Sequence, residues 1–474
     1  MLNLNLDPGT INRTLFRGDN LEWMARLPDR SVDIIATDPP FNSKRDYFVP
    51  FRDEQGKEPE TLVKAFSDTW SWGIAAETAC DELITEVGGL VGETIMGMRT
   101  FLKETPMMAY LVMMGIRLVE MHRVLKPTGS IYLHCDASAG HYLKLLMDAV
   151  FGVKNFRNEI VWCYDTPANV RRWFPRKTDN ILFYTKGSTW TFNVDNVRVP
   201  YKRGSKLDGK GWGTNTAYSA EEVAKGKVMP NWWVDCTPVQ RLITERTGYP
   251  TQKPIALYER ILRASSNEGD LVLDPFCGCG TTVIAAENLG RRWIGIDLTY
   301  LAIGAVKLQV EKFCPHIRDE VRIIGIPEDL PSAIRLASED AFGFEEWCVA
   351  HVLNFQPNAT RGSDGGIDGV RNFPLGKIGG RKSYGKMVAQ VKSGNYTLGH
   401  VRDFRTAMGN ANAELGIFVV AKPPTRDMQK EASRAGIWKH PTLDFECPCL
   451  QIYEVKDYFA GIAPKIPLSE RSVL

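Results

Sequence analysis

The stretch LVLDPFCGCGTTVIAAENLGRRWIGIDL, Leu271 to Leu298, limits what this chain can fold into more than any other. It reads as a strand ending on an acid, a glycine-rich turn, a helix with small residues early and a stop at Gly290, and a second strand closing on Asp297. That order is a βαβ unit and places the chain among α/β proteins. Glycines let backbone approach a ligand, and the acid closing the next strand can accept hydrogen bonds from ribose hydroxyls, so the unit points to nucleoside binding. A GxG turn alone would equally be a tight strand-to-helix turn; the strand before, the helix after and Asp297 narrow the choice. The turn is DPFCGCGTT and not G-x-G-x-x-G, which disfavours a dehydrogenase.

A second stretch, IIATDPPFNS from Ile34 to Ser43, leaves a buried-strand pattern through an acid, two prolines and an aromatic. Alone it would be no more than a rigid turn capped by an acid.

The rest of the chain bounds the class. At 474 residues, and with roughly 100–200 residues per domain, two to four units are expected. With 44% hydrophobic and 24% charged residues the composition is globular, which excludes disordered and fibrous classes. The net charge of +2 announces no nucleic-acid partner by itself, so any basic surface is local, as in RRWFPRK (Arg171 to Lys177) and YKRGSK (Tyr201 to Lys206). Ten cysteines without a secretory leader or an even framework read as reduced, cytosolic thiols. CGC and CPC lack the second pair that a zinc site needs. No apolar run reaches the roughly 18 residues of a membrane span, so no membrane partner is expected.

DPFCGCGTT with WIGIDL resembles the S-adenosyl-L-methionine motif of DNA amino-methyltransferases, and TDPPFN resembles their catalytic D-P-P-[YF] motif. The catalytic motif comes first, as in the β class, and the modification subunits of Type III restriction systems are the nearest in flavour. LFRGDN resembles the strand whose acid, here Asp19, contacts the cofactor adenine. YPTQKPIALYERILRASSNEGD, with Lys253 and Pro254, resembles the helix and loop before the cofactor motif, and LKPTGSIYLHCD resembles a core strand. The resemblance implies a Rossmann-like methyltransferase over residues 1–315, with Asp19, Lys253, Pro254, Asp274, Phe276, Gly278, Gly280, Thr281 and Asp297 around S-adenosyl-L-methionine.

It also gives DPPF a chemical role. An exocyclic amine is a poor nucleophile because its lone pair is delocalised into the ring. The Asp38 carboxylate and the Pro39 carbonyl could accept its hydrogens, Pro39 and Pro40 remove backbone donors, and Phe41 would stack on a base swung out of the duplex. Methylation of a cytosine ring carbon would need a nucleophilic cysteine, and Cys277 and Cys279 look like small residues in a tight loop. Because the motif begins with Asp, adenine is preferred to cytosine as target. The family keeps its target-recognition region between strands, here at about 159–245, where Arg171, Arg172, Lys177, Lys202 and Arg203 would contact double-stranded DNA. The alternative there is a solvated basic face with core tryptophans. Residues 44–106, with FSDTWSW, read as a lid or loop near the site. A homodimer is permitted by the class.

After a linker at 316–332 the patterning restarts, and 333–474 read as a second α/β domain. GSDGGIDGV and KMVAQVKSG put Asp368 beside Gln390 and Lys392, which share one strand face. Asp368 and Gln390 would hold Mg2+, and Lys392 would position water or stabilise developing charge. The pattern resembles the PD-(D/E)xK nucleases, in particular Mrr-like restriction endonucleases, with Glu345 or Glu346 as an extra metal-side acid. Gln390 stands where the usual second acid would be. No G-x-x-x-x-G-K-[ST] occurs, so cleavage would need no ATP. Two readings stay open: a single-chain restriction-modification enzyme, or a methyltransferase with an inactive nuclease-like DNA-binding module.

Overall fold

The computed structural model describes residues 6–41, 46–49, 63–67, 70–166, 170–201, 220–242, 244–247, 249, 251–358, 366–378 and 381–467. Its larger body is built on a nine-stranded sheet. The strands are β1 (Thr14–Arg17), β2 (Val32–Thr37), β3 (Leu125–Cys135), β4 (Phe156–Cys163), β5 (Thr178–Thr185), β6 (Trp232–Trp233), β7 (Leu271–Asp274), β8 (Arg292–Asp297) and β9 (Arg322–Ile324). They lie in the order β6-β4-β5-β3-β2-β7-β8-β1-β9. All neighbours are parallel except β5, which runs against both β3 and β4.

Central strands buried on both faces explain the unbroken apolar runs in the sequence. Alternation then sorts the side chains: Ile35, Leu271, Leu273, Ile294 and Ile296 face one layer, and Ile34, Ala36, Val272 and Trp293 the other. Helices α1 (Pro106–Val124) and α2 (Gly140–Phe151) cover the first face through Leu111, Met114, Leu143 and Met147. Helices α3 (Ile255–Ser265), α4 (Thr281–Asn288) and α5 (Tyr300–Phe313) cover the second through Leu257, Val283 and Val306. Each fully buried Leu or Ile contributes about 1.5–3 kcal/mol relative to exposure.

Two stretches differ from expectation. Within 44–106, the residues from Ile74 to Leu102 are mostly helical, and Cys80, Leu83, Ile95 and Met98 are buried in the first core layer. That part is core rather than a loop; two short strands before it, Asp46–Val49 and Val63–Ser67, pair antiparallel. Residues 316–332, expected as a linker, supply β9, which pairs with β1 in the register Leu15↔Ile323.

The second body has a five-stranded sheet ordered β10 (Gln356–Pro357), β11 (Gly369–Ile378), β12 (Arg381–Lys392), β13 (Leu415–Val420) and β14 (Leu450–Glu454). β10, β11 and β12 are antiparallel neighbours, and β12, β13 and β14 are parallel. One face packs Met387, Ala389 and Val391 against Phe344, Trp347 and Ala333, and the other packs Val388 and Phe418 against Val401 and Phe404. Tyr300 at the start of α5 belongs to the first of these clusters, so the two bodies share a buried contact. Among the described residues no helix is long and apolar enough to cross a membrane. All ten cysteines are free thiols.

Candidate active site at the strand ends

β2 and β7 are parallel neighbours in the register Ile34↔Val272 and Ile35↔Leu273, so DPPF and DPFCGCG leave the sheet side by side at its carboxyl edge. In open α/β sheets that edge is where ligands bind. Asp274 ties the two turns together: its Oδ1 accepts the Thr37 hydroxyl at 2.7 Å and the Phe276 N–H at 3.1 Å. Burial pushes its carboxyl up to about 6.

Asp38 is held by a lysine. Lys253 Nζ lies 2.5 Å from Asp38 Oδ2 and 5.1 Å from the centre of the Phe41 ring, and it is itself buried. Asp38 Oδ1 is buried and has no hydrogen-bond partner among the described residues. An acceptor in that condition is destabilising unless a donor arrives to fill it. Phe41 also stacks on His134, with ring centres 5.8 Å apart and planes 23° from parallel. His134 Nε2 lies 3.1 Å from Asp179 Oδ2, and the Tyr164 hydroxyl donates to Asp179 Oδ1 at 3.2 Å. Burial works to raise the Asp179 carboxyl, yet the His134 hydrogen bond and the charges of His134 and Lys253 hold it below the usual carboxylate range.

Two more acids stand on neighbouring strand ends. Asp297 Oδ2 accepts the Gly278 N–H at 3.0 Å, and its Oδ1 accepts the Thr299 N–H at 3.0 Å. Enclosure pushes that carboxyl up to about 6. Gly18, after β1, donates its N–H to the Asp297 carbonyl at 2.9 Å, which sets Asp19 beside Asp297. Asp19 caps the helix Asn20–Met24 by accepting the Leu21 N–H, and both its oxygens lie 2.8 Å from Arg117 Nη2. Two acids next to a glycine turn supply acceptors suited to a nucleoside with free hydroxyls, so the residues present fit the expected cofactor.

The second body brings Asp368 to β12. Its N–H donates to the Ala389 carbonyl, and its Oδ2 accepts the Val391 N–H at 2.7 Å, which flanks Gln390 on both sides. Gln390 is buried, and its Oε1 has no hydrogen-bond partner among the described residues. Lys392, at the end of β12, is half-buried. One carboxylate and one amide oxygen fit Mg2+, which keeps several of its waters. Among the described residues no group of three or more His, Cys, Asp or Glu side chains is placed to hold a metal.

A family model described as DNA methylase matches residues 32–303, more than half of the chain. The chain belongs to the DNA methylase family. A second model, described as restriction endonuclease, matches residues 336–439 of the methylase. The Type II methyltransferase M.HpaI of Haemophilus parainfluenzae is 29% identical over 64% of this chain and 76% of its own length. The DNA adenine methyltransferase YhdJ of Escherichia coli K12 is 30% identical over 64% of this chain and 84% of its own. Among solved structures, TTHA0409 of Thermus thermophilus in complex with S-adenosyl-L-methionine aligns over 66% of this chain and 99% of its own, at 18% identity and a TM-score of 0.39. The cytosine-N4-specific PvuII DNA methyltransferase aligns over 67% and 98%, at 14% identity and a TM-score of 0.39.

In the methylase, Asp38, Pro39, Pro40 and Phe41 lie together with Lys253, which the sequence grouped with the cofactor residues instead. Pro254 precedes α3, and Thr281 at the start of α4 donates its hydroxyl to the Lys253 carbonyl at 3.2 Å. Gly280 takes a left-handed φ of 85°, where a Cβ would sit 2.9 Å from Val306. Asp274 accepts hydrogen bonds from Thr37 and Phe276, and Phe276 is partly buried against the core. Arg171 and Arg172 are exposed, whereas Lys177 donates to Thr166 Oγ1 at 2.6 Å; Lys202 and Arg203 lie outside the described residues. In the endonuclease domain, Glu345 lies near Cys348, while Glu346 accepts the Tyr300 N–H at 3.1 Å across the joint.

The sequence missed Arg117, His134 and Asp179. Arg117 is an arginine within the apolar pattern of α1, and His134 is the penultimate residue of β3 in a largely apolar run, so both were visible as polar groups a buried position would have to pair. Asp179 carried no signal, since its partner comes from a strand distant in sequence.

Proposed function

We propose that this methylase transfers a methyl group from S-adenosyl-L-methionine to the exocyclic amine of adenine in double-stranded DNA, on a base swung out of the helix. The observation that carries this reading is the Oδ1 of Asp38, buried at the strand end beside the second motif turn and without a hydrogen-bond partner among the described residues. Bound S-adenosyl-L-methionine supplies a methyl group already activated on a sulfonium. The work left to the protein is alignment and acceptor placement.

Asp38 Oδ1 accepts one amine hydrogen and the Pro39 carbonyl the other, which draws the lone pair toward the methyl group. Lys253 fixes Asp38 through Oδ2, so that only Oδ1 is offered. Asp38 Oδ1 would take the proton that the amine gives up when it receives the methyl group. Phe41 supports the base face, and His134 with Asp179 holds Phe41 in place. An enzyme-bound intermediate has no candidate in the turn: burial raises the Cys277 thiol far above its ordinary value and Cys279 to about 11. The acid that opens the motif, and the adenine activity in the name of YhdJ, support adenine.

In the endonuclease domain Asp368 and Gln390 would hold Mg2+, which would assist phosphodiester cleavage, and Lys392 would stand beside the reacting phosphate. A binding-only module is the second reading, favoured by the small donor set, in which the Oδ2 of Asp368 already accepts a backbone N–H. Methylome sequencing of a host expressing the chain tests the first half. N6-methyladenine at one defined sequence is expected; N4-methylcytosine would overturn the choice of base, and unmodified DNA the reaction itself.

A further inference from the structure

Among the described strands of the large sheet β5 is the reversed one, and that reversal brings its first residues to the carboxyl edge beside the base pocket. The register pairs Cys135 with Asn180 and His134 with Ile181, while β4 and β5 are joined at Cys163↔Thr178. The connection between β4 and β5 therefore leaves and rejoins the sheet at the same edge as Asp38. Its root is bolted down: the Tyr164 N–H donates to the Lys177 carbonyl at 2.9 Å, Lys177 Nζ to Thr166, and the Tyr164 hydroxyl to Asp179, the residue that holds His134 against Phe41. Its tip is bare. Trp173 is 67% exposed and Phe174 94% exposed, and Arg171, Arg172, Pro175 and Arg176 around them are exposed too.

An aromatic this exposed packs little against the described residues, while three arginines beside it match a phosphate backbone. Phe174 lies five positions before Asp179, a reach of up to about 17 Å from the pocket wall. A nucleotide rotated out of a duplex leaves a gap in the stack, and apolar side chains are suited to filling such gaps.

We propose that Phe174 is a wedge: it enters the DNA stack where the target base has left, with Arg171, Arg172 and Arg176 on the flanking phosphates. The inference rests on base extrusion as proposed above and adds the residue that sustains it. Filling the gap lowers the free energy of the extruded state, so the wedge matters most when the target base is paired and least when it is already unpaired.

The test compares methyl transfer to two duplexes that carry the sequence mapped by methylome sequencing, one with the target base paired and one with it mismatched. Phe174→Ala is expected to lose about tenfold or more in kcat/KM on the paired duplex and less than about threefold on the mismatched one. Phe174→Leu, still apolar, is expected to restore most of the loss. Equal loss on both duplexes, or none on either, overturns the wedge while transfer by the unaltered chain leaves the methylation reading standing. A change in oligomeric state in place of the paired-duplex defect overturns it in favour of a contact between copies. Absence of transfer by the unaltered chain to either duplex overturns both.

Discussion

Asp274 is a buried acid that joins two turns, and its carboxyl is pushed up to about 6 by burial. A folded-state value above the unfolded one near 3.9 means that the folded chain binds more protons between about pH 4 and 6. Stability from this group is therefore present below pH 4 and is lost as pH rises to 6. Asp274→Asn keeps an oxygen for Thr37 and Phe276 but cannot ionise, so its stability relative to the unaltered chain is expected to improve by on the order of 2 kcal/mol between pH 4 and 6. Denaturant midpoints across that range check this; parallel curves would contradict it. Gly280 makes a second residue-scale test. A side chain there meets both a left-handed φ and Val306, so Gly280→Ala is expected to lower stability by about 1–3 kcal/mol, read from thermal unfolding. Glycines at such positions were legible in the sequence as a turn, whereas the Lys253–Asp38 ion pair was not, because nothing local links residues that far apart.

Strands and helices were legible where period and turn chemistry agreed. The unit from Leu271 to Asp297 became β7, α4 and β8. β9 has no readable signature because three residues at a sheet edge carry too short a pattern, and the helices of 74–102 follow a run of charges and aromatics whose pattern is that of a lid. The reversal of β5 is set by pairing with strands on either side and has no local signature. That reversal makes a prediction at the scale of the element. Asp179 at its start holds the buried His134, so Asp179→Ala should lower stability by about 1–3 kcal/mol by leaving that ring without its partner. It should also lower kcat by loosening Phe41, with KM for S-adenosyl-L-methionine little changed. A fall confined to cofactor KM would contradict the placement of Asp179 behind the base pocket.

At the scale of the molecule, two sheets with separate cores meet through Tyr300 and the Glu346 hydrogen bond to its N–H. Two chemistries on one chain should then be separable by mutation. Lys392→Ala is expected to abolish Mg2+-dependent cutting of unmethylated DNA while methyl transfer persists; continued cutting would reject the assignment of Lys392, and no cutting by the unaltered chain would favour the binding-only module. The central claim concerns the other site. Asp38 offers one acceptor that no group among the described residues fills, beside Phe41, and that acceptor is what turns a strand-end cleft into a base pocket. The most direct measurement is transfer of labelled methyl groups to DNA by Asp38→Ala, with S-adenosyl-L-methionine binding followed in parallel by calorimetry. The account predicts that transfer falls by at least about 100-fold while binding is largely kept. Robust transfer by that variant would contradict it.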